Sequence, residues 1–577
     1  MKIRSILANQ TASISPVLSE DYSDIIFRYQ IAAGNLPLDL EPFFPQIVDN
    51  QYSILHAPLS RNLATVEELS YSSVPKLFTF LDTTSLESSG ILSVQIQPYL
   101  NLSGQGVLVG FLDSGIDYTH PSFRNPDGTT RILRIWDQTI QDGPAPAGLN
   151  YGTEYQEAQI NQALFSADPL QTVPSRDENG HGTAVAGIAC GSPDAAADFT
   201  GAAPGSKLLC VKLKPAKQYL RDYFLIPSSA IAYQESDLML GVRYLINISK
   251  ELRMPLVICM TLGTNQGGHT GDTPLEQVLT SAQFNAGVYA VTGTGNEAGM
   301  AHHYQGNIKR QGETLDIELL VDQETSGFAV EFWADAPELY SIGFTSPLGE
   351  TIQPVQPRND TTREFRFLLE DSRVFLTYTI VEMLTGSQLA FLRFQNPSQG
   401  IWRIRVVNNT FINGTFHLWL PITGLVDPEI RFFAPNSDTT LVIPSCAASP
   451  ITASTYSAFN NSLYIRSGRG FTRNNLIKPD FASPGVNLTA PAISSAAGGG
   501  YTTVTGSSAS CALTAGAAAL YVEGGLRQKE PRYFTAEELK SLFLRGTVRS
   551  NIYTYPNREW GYGTMNVYET FESFLRS

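Results

Sequence analysis

Gly106-Val107-Leu108-Val109-Gly110-Phe111-Leu112-Asp113-Ser114-Gly115-Ile116-Asp117 decides how this 577-residue chain is read. The run from Gly106 to Leu112 is continuously apolar, as expected of a strand buried on both faces of a parallel sheet. It ends in the carboxylate of Asp113, and open α/β sheets carry their sites at the carboxyl ends of such strands. Asp-Ser-Gly also begins a turn unaided, so this stretch alone does not make Asp113 functional.

Outward from that strand the pattern alternates. Lys207 to Leu213, Leu256 to Met260 and Val288 to Thr292 read as strands, and Ser236 to Leu252 and Pro274 to Ala286 as helices. That rhythm implies an α/β fold, a parallel sheet with helices on both faces. From about His303 to Thr423 it stops, and Phe328, Val330 and Phe332, then Trp402, Ile404 and Val406, then Phe416, Leu418 and Leu420 alternate at period two. An inserted antiparallel β-sandwich is expected there. The α/β pattern resumes near Phe432 and closes with an amphipathic helix over Thr535 to Leu544.

Residues 1 to about 88 predict a small α+β unit, with strands at Phe27 to Ile31, Ile54 to Ala57 and Lys76 to Leu81, and a short helix at Asn62 to Leu69. The polar stretch Thr83 to Gly90 is the expected linker. The domain division is therefore 1–88, 89–302, an inserted sandwich over 303–427, and 428–577.

A net charge of −15 without clustered Lys or Arg argues against a nucleic-acid surface. No apolar run reaches the length of a membrane span. Met1 to Gln10 is positively charged but lacks the apolar core of a secretory signal. Cys190, Cys210, Cys259, Cys446 and Cys511 show no metal-ligand spacing and read as reduced, buried residues of a cytosolic protein. No cofactor or metal is expected.

Three further turns stand out. His181 lies between Gly180 and Gly182 at the mouth of an Ala-rich helix, Asn296 in the turn Thr292-Gly293-Thr294-Gly295-Asn296, and Ser508 at the head of the helix that follows Gly506-Ser507. Singly, Ser508 reads equally well as a helix cap, and a lone histidine is more often a capping or surface residue, a reading that the glycine flanks and the Ala-rich helix weaken for His181. Together with Asp113 they are the parts acyl transfer requires. An imidazole takes the serine proton and a carboxylate fixes the ring's tautomer. The Asn296 amide and the Ser508 N–H would stabilise the oxyanion.

With Asp-Ser-Gly-Ile-Asp at Asp113, His-Gly-Thr at His181, Gly-Asn at Asn296, Lys-Pro-Asp-Phe-Ala-Ser-Pro-Gly at Lys478 and Gly-Ser-Ser-Ala-Ser at Ser508, the chain resembles the subtilisin-like serine proteases over residues 91–302 and 428–572. The resemblance implies a triad of Asp113, His181 and Ser508, an oxyanion hole of Asn296 and Ser508, and Thr261-Leu262-Gly263 as the segment that pairs with an extended substrate. Ser507, Ala509, Ser510 and Ala512 replace the family's usual Thr, Met, Ala and Pro, which bears on pocket packing. Ser122 stands where secreted relatives often place a calcium-binding aspartate, so calcium is not supported.

The amino-terminal unit and the inserted sandwich are more specifically similar to the clostridial Csp germination proteases, in which the insertion is a jelly roll. That resemblance implies a self-processed prodomain that stays bound as an inhibitor, a protein or peptide substrate, the precursor of a spore cortex-lytic enzyme as target, and a cytoplasmic or spore-associated location. The same group contains non-catalytic, germinant-sensing pseudoproteases, the alternative reading, which loss of a triad residue would mark.

Overall fold

The computed structural model describes residues 15–29, 38–59, 69–81, 91–96, 100–359, 361–493 and 499–575. Most of the short helix expected at Asn62 to Leu69, and the linker at Thr83 to Gly90, lie outside them. At the centre is a nine-stranded sheet whose order runs Ser462–Leu463, Ile451–Ser457, Val288–Gly293, Leu256–Met260, Leu108–Asp113, Lys207–Lys212, Ile132–Asp137, Thr153–Gln156, with Phe481–Pro484 also paired to Ile451–Ser457. Neighbours from Ile451–Ser457 to Ile132–Asp137 are parallel, and Ser462–Leu463 and Thr153–Gln156 are antiparallel edges. Leu108–Asp113 is the middle strand, buried at every residue, which is why its sequence carries no polar alternation.

Helices cover both faces. On one side His181–Cys190 and Ser507–Leu526 pack in a core with Val109, Cys259 and Val291, and on the other Glu235–Leu252 and Pro274–Ala282 pack against Leu108, Ile258 and Ala290. The expected helix from Pro274 stops at Ala282 instead of Ala286. Ser507–Leu526 is small-residue-rich because it lies against the sheet and the His181 helix, where Ala518 and Ala519 are fully buried. A Cβ on Gly516 would lie 2.7 Å from the Ala189 carbonyl oxygen. All five cysteines are free and buried.

The inserted region is a two-sheet antiparallel sandwich. One sheet has six strands: His303–Asn307, Thr415–Trp419, Gly327–Ala334, Gln388–Gln395, Ser372–Thr379 and Thr361–Phe367. The other has five, and its last, Ile430–Phe432, lies beyond the boundary drawn at 427 because it pairs with Thr314–Val321. Phe328, Val330, Phe332, Phe394, Trp402 and Phe416 fill the space between the sheets. The opposite face of Gly327–Ala334 is also buried, with Ala329, Glu331 and Trp333 turned away from the sandwich core.

Four of the histidines gather where the sandwich meets the α/β unit. His303 Nε2 lies 2.9 Å from His417 Nδ1, and Trp419 stacks with His269 at 4.0 Å and His303 at 4.7 Å. His302 pairs with Glu297 at 2.7 Å. Burial pushes His269 from 6.5 down to about 4 and His303 down to about 3, so both rings are folded in as neutral groups.

A depressed folded-state pKa means that the unfolded chain takes up the proton first, so the stability present above 6.5 is lost as pH falls toward about 4 and then about 3. These two histidines are accordingly expected to leave the thermal midpoint unchanged from pH 8 to 7 and to lower it from about 6.5 downward, above the ordinary carboxylate range. Calorimetry across that window checks it, and a midpoint unchanged down to pH 5 would contradict it.

Candidate active site

Each functional side chain stands at the end of a regular element. Asp113 closes the middle strand, His181 opens one helix, Ser508 is the second residue of another, and Asn296 follows the strand Val288–Gly293. His181 Nδ1 lies 2.8 and 2.9 Å from the two Asp113 carboxylate oxygens, and Nε2 lies 2.9 Å from Ser508 Oγ. An ionised carboxylate can only accept, so the ring proton sits on Nδ1 and Nε2 is left to accept from the serine hydroxyl. All three residues are buried.

The supports of this line explain its flanking residues. Asp113 Oδ1 accepts from the Ser114 N–H at 2.8 Å and Oδ2 from the Thr261 hydroxyl at 2.8 Å. Asp177 brackets His181, accepting from the N–H groups of Asn179 and Gly180 ahead of it at 3.1 and 2.8 Å and of Thr183 after it at 2.9 Å. Gly180 has φ +92°, where a side chain would be strained. Gly182 is needed for approach, since a Cβ there would lie 2.1 Å from the Gly115 carbonyl oxygen and 3.1 Å from Asp113 Cβ.

On the serine side, Asn296 Oδ1 accepts from the Ser507 N–H at 3.1 Å, which makes the NH₂ end of this amide its donor end. Ser507 Oγ in turn accepts from Gly295 N–H at 2.8 Å, tying the asparagine turn to the serine helix. Glu297 lies beside them. Burial alone would raise its pKa, but the His302 pair at 2.7 Å and the Thr423 N–H at 3.3 Å outweigh it and hold the carboxyl below its ordinary value.

The strand expected at Lys76 to Leu81 is present as Leu77–Phe80, but it does not join the amino-terminal sheet formed by Tyr22–Arg28, Tyr52–Pro58 and Gln46–Ile47. It lies instead between Leu262–Gly263 and Tyr233–Gln234, antiparallel to both, with Phe80 opposite Leu262 and Thr79 opposite Gly263. Thr261, Leu262 and Gly263 thus flank an extended segment of the chain's own amino-terminal unit. Leu81 N–H donates to the Thr261 carbonyl at 3.2 Å, and the Leu81 carbonyl accepts from the Ser508 N–H at 2.8 Å. Phe80 lies over the His181 ring at 4.4 Å.

The Leu81 side chain is buried. Val442 limits the space: a Cβ on Gly263 would lie 2.6 Å from Val442 Cγ2 and 3.2 Å from Leu81 Cδ2, and one on Gly295 2.3 Å from Val442 Cγ1. The two glycines leave a slot beside Val442, which shares a buried cluster with Leu81. Nothing in a lone valine's sequence setting signals that position. Among the described residues no group of three or more His, Cys, Asp or Glu side chains could hold a metal, and no helix is long and apolar enough to cross a membrane.

A carboxylate–imidazole–hydroxyl line, with a carbonyl held against the serine's own N–H, is suited to nucleophilic attack on that carbonyl. The chain matches the Subtilase family over residues 104–328 and 413–563, and it belongs to that family, the subtilisin-like serine peptidases. It is 30% identical to the CspB protease of Clostridium perfringens, whose structure superposes with a TM-score of 0.75 over 85% of this chain and 98% of that one. Two Arabidopsis thaliana proteins, the subtilisin-like proteases SBT2.2 and SBT2.3, are 30% and 29% identical over 108 and 99 residues, and the matched stretch spans 12% of the length of each.

The slot can be tested without any turnover. In a Ser508→Ala chain, Leu81→Phe is expected to cost about 1–3 kcal/mol by overpacking, read as a lower thermal midpoint, with Val442→Ala on the same chain returning part of the loss. An unchanged midpoint for Leu81→Phe, or no return in the double variant, would contradict the slot.

Proposed function

We propose that this protein is a serine endopeptidase whose first substrate is its own chain, cut at the Leu81–Asp82 bond. The observation that carries this reading is the Leu81 carbonyl held at 2.8 Å by the Ser508 N–H while Ser508 Oγ lies 2.9 Å from His181 Nε2. In this reading Ser508 Oγ attacks the Leu81 carbonyl carbon and His181 takes the hydroxyl proton. Asp113 and Thr261 hold the ring's tautomer and orientation, and the Ser508 N–H and the Asn296 amide stabilise the oxyanion. His181 then returns its proton to the leaving Asp82 nitrogen, and water enters by the reverse path to free the Leu81 carboxylate.

The amino-terminal unit is then a prodomain ending at residue 81. Its last strand keeps two β-partners, so the cut piece stays in the cleft as an inhibitor. The Csp likeness supports the precursor of a spore cortex-lytic enzyme as the later substrate, and a cytoplasmic or spore-associated location.

The purified chain and its Ser508→Ala variant, compared on a denaturing gel and by intact mass, test this. Two fragments from the first and a full-length second are expected. Both remaining whole would overturn self-processing and favour a regulatory, non-catalytic role.

A further inference from the structure

The six-stranded sheet of the inserted sandwich turns one face away from its own core, and that face is covered. Along Gly327–Ala334 every residue is buried, although only Phe328, Val330, Phe332 and Ala334 point into the sandwich core. On the outward face Glu331 and Trp333, with Phe391 from the neighbouring strand, meet the segment just ahead of the cleft strand. Tyr71 donates its hydroxyl to Glu331 Oε1, and its ring lies edge-on to Trp333 at 5.7 Å and tilted to Phe391 at 6.2 Å.

Glu331 is built to receive that hydroxyl. Its other oxygen accepts from the Gly267 N–H of the α/β unit at 2.9 Å and from Trp333 Nε1 at 3.1 Å, so the carboxylate is fixed by two bodies while it binds a third segment. A buried carboxylate in an aromatic surround costs desolvation and is stabilised only when its lone pairs are filled. Between this point and the cleft, Lys76 lies over the Tyr71 ring at 4.1 Å and donates to the Tyr71 and Val74 carbonyls at 2.7 and 2.5 Å. Burial pushes the Lys76 amine below its ordinary value, and the carboxyls of Glu235, Glu331 and Glu382 act against that. The Lys76 N–H donates to Glu235 at 3.1 Å and the Leu77 N–H to Gln266 at 2.9 Å, which carries the backbone without a break into the strand at Leu77–Phe80.

We propose that the inserted sandwich is the outer part of the substrate cleft, a binding site built on Glu331, Trp333 and Phe391 for a phenolic side chain placed as Tyr71 is relative to Leu81. The ligand class is a polypeptide that makes a turn at an aromatic hydroxyl, as Tyr71–Ser73 does, carries a lysine at the Lys76 position and runs extended from the Leu77 position to a leucine at the cut. This rests on the self-processing reading, which makes residues 71–81 a substrate. It extends that reading to polypeptides that arrive after the prodomain, which must bring a group able to fill the Glu331 carboxylate. A site of this kind contributes through tethering, since engagement of the sandwich raises the local concentration of the scissile segment at Ser508.

The test uses the full-length wild-type chain and its Glu331→Gln variant against three quenched fluorescent peptides: residues 70–85, the same peptide with Tyr71→Phe, and residues 77–85, which do not reach the sandwich. The wild type is expected to cut the first about tenfold faster in kcat/KM than the second, as leaving a buried carboxyl oxygen without its partner predicts, with the difference in KM. Glu331→Gln should lose that preference, cutting the first two peptides with equal kcat/KM, and its far-ultraviolet circular dichroism and thermal unfolding transition show separately that it is folded. Equal rates for the first two peptides in the wild type, or a preference that survives in Glu331→Gln, overturns the proposal. The cut prodomain competes with all three peptides alike, so the preference is read as a ratio at excess peptide; a self-cut chain that cuts none of them at any excess is closed to later polypeptides, which overturns the proposal and leaves Glu331 as a prodomain anchor only. A chain that remains whole and cuts nothing removes the self-processing reading, and this proposal with it.

Discussion

The hydrogen bond from the Ser508 N–H to the Leu81 carbonyl is the constraint on which the rest of this structure depends. It can form only if the strand Leu77–Phe80 lies in register between Gln234 and Gly263, so that Thr79 faces Gly263 and the chain arrives at the serine with its carbonyl turned inward. That register is set from both ends. At one, Leu81 is buried in a cluster that includes Val442, and at the other Tyr71 is held by a carboxylate that belongs to the inserted sandwich. The sandwich is therefore more than an appended module, because its outward face completes the surface along which this segment runs.

The other half of the site depends on close approach. The His181 helix can reach the end of the middle strand only because Gly182 has no side chain. The Ser508 helix reaches the asparagine turn because Gly293 has none, a Cβ there lying 2.5 Å from Ser507 Oγ. Misplacement of reacting groups by about an ångström can cost on the order of a hundredfold in rate, so these contacts bear on chemistry as much as on packing. Asp177, with two backbone N–H bonds from the turn before His181 and a third from Thr183 after it, and Thr261, with its hydroxyl on Asp113, are the polar counterparts of the same restraint.

How far the sequence carries can be judged from particular residues. Asp113, His181, Asn296 and Ser508 were legible because each sits in a glycine-marked turn next to a buried element, and glycine is used where backbones must approach. The sandwich was legible from its period-two runs. The destination of Leu77–Phe80 was not, since a short apolar strand carries no sign of whether it pairs within its own unit or across a cleft. Glu331 was equally hidden. In the alternation of Gly327–Ala334 it reads as a solvent-facing position, and only the covering of that second face makes it a buried ligand for Tyr71.

The most direct test of the central claim, that the Leu81 carbonyl is the one presented to Ser508, is the amino-terminal sequence of the larger fragment from the purified wild-type chain. The account predicts Asp82-Thr83-Thr84-Ser85. A fragment that begins at any other residue would contradict it, because the strand in the cleft would then have to slide and give up its pairing with Leu262 and Gly263.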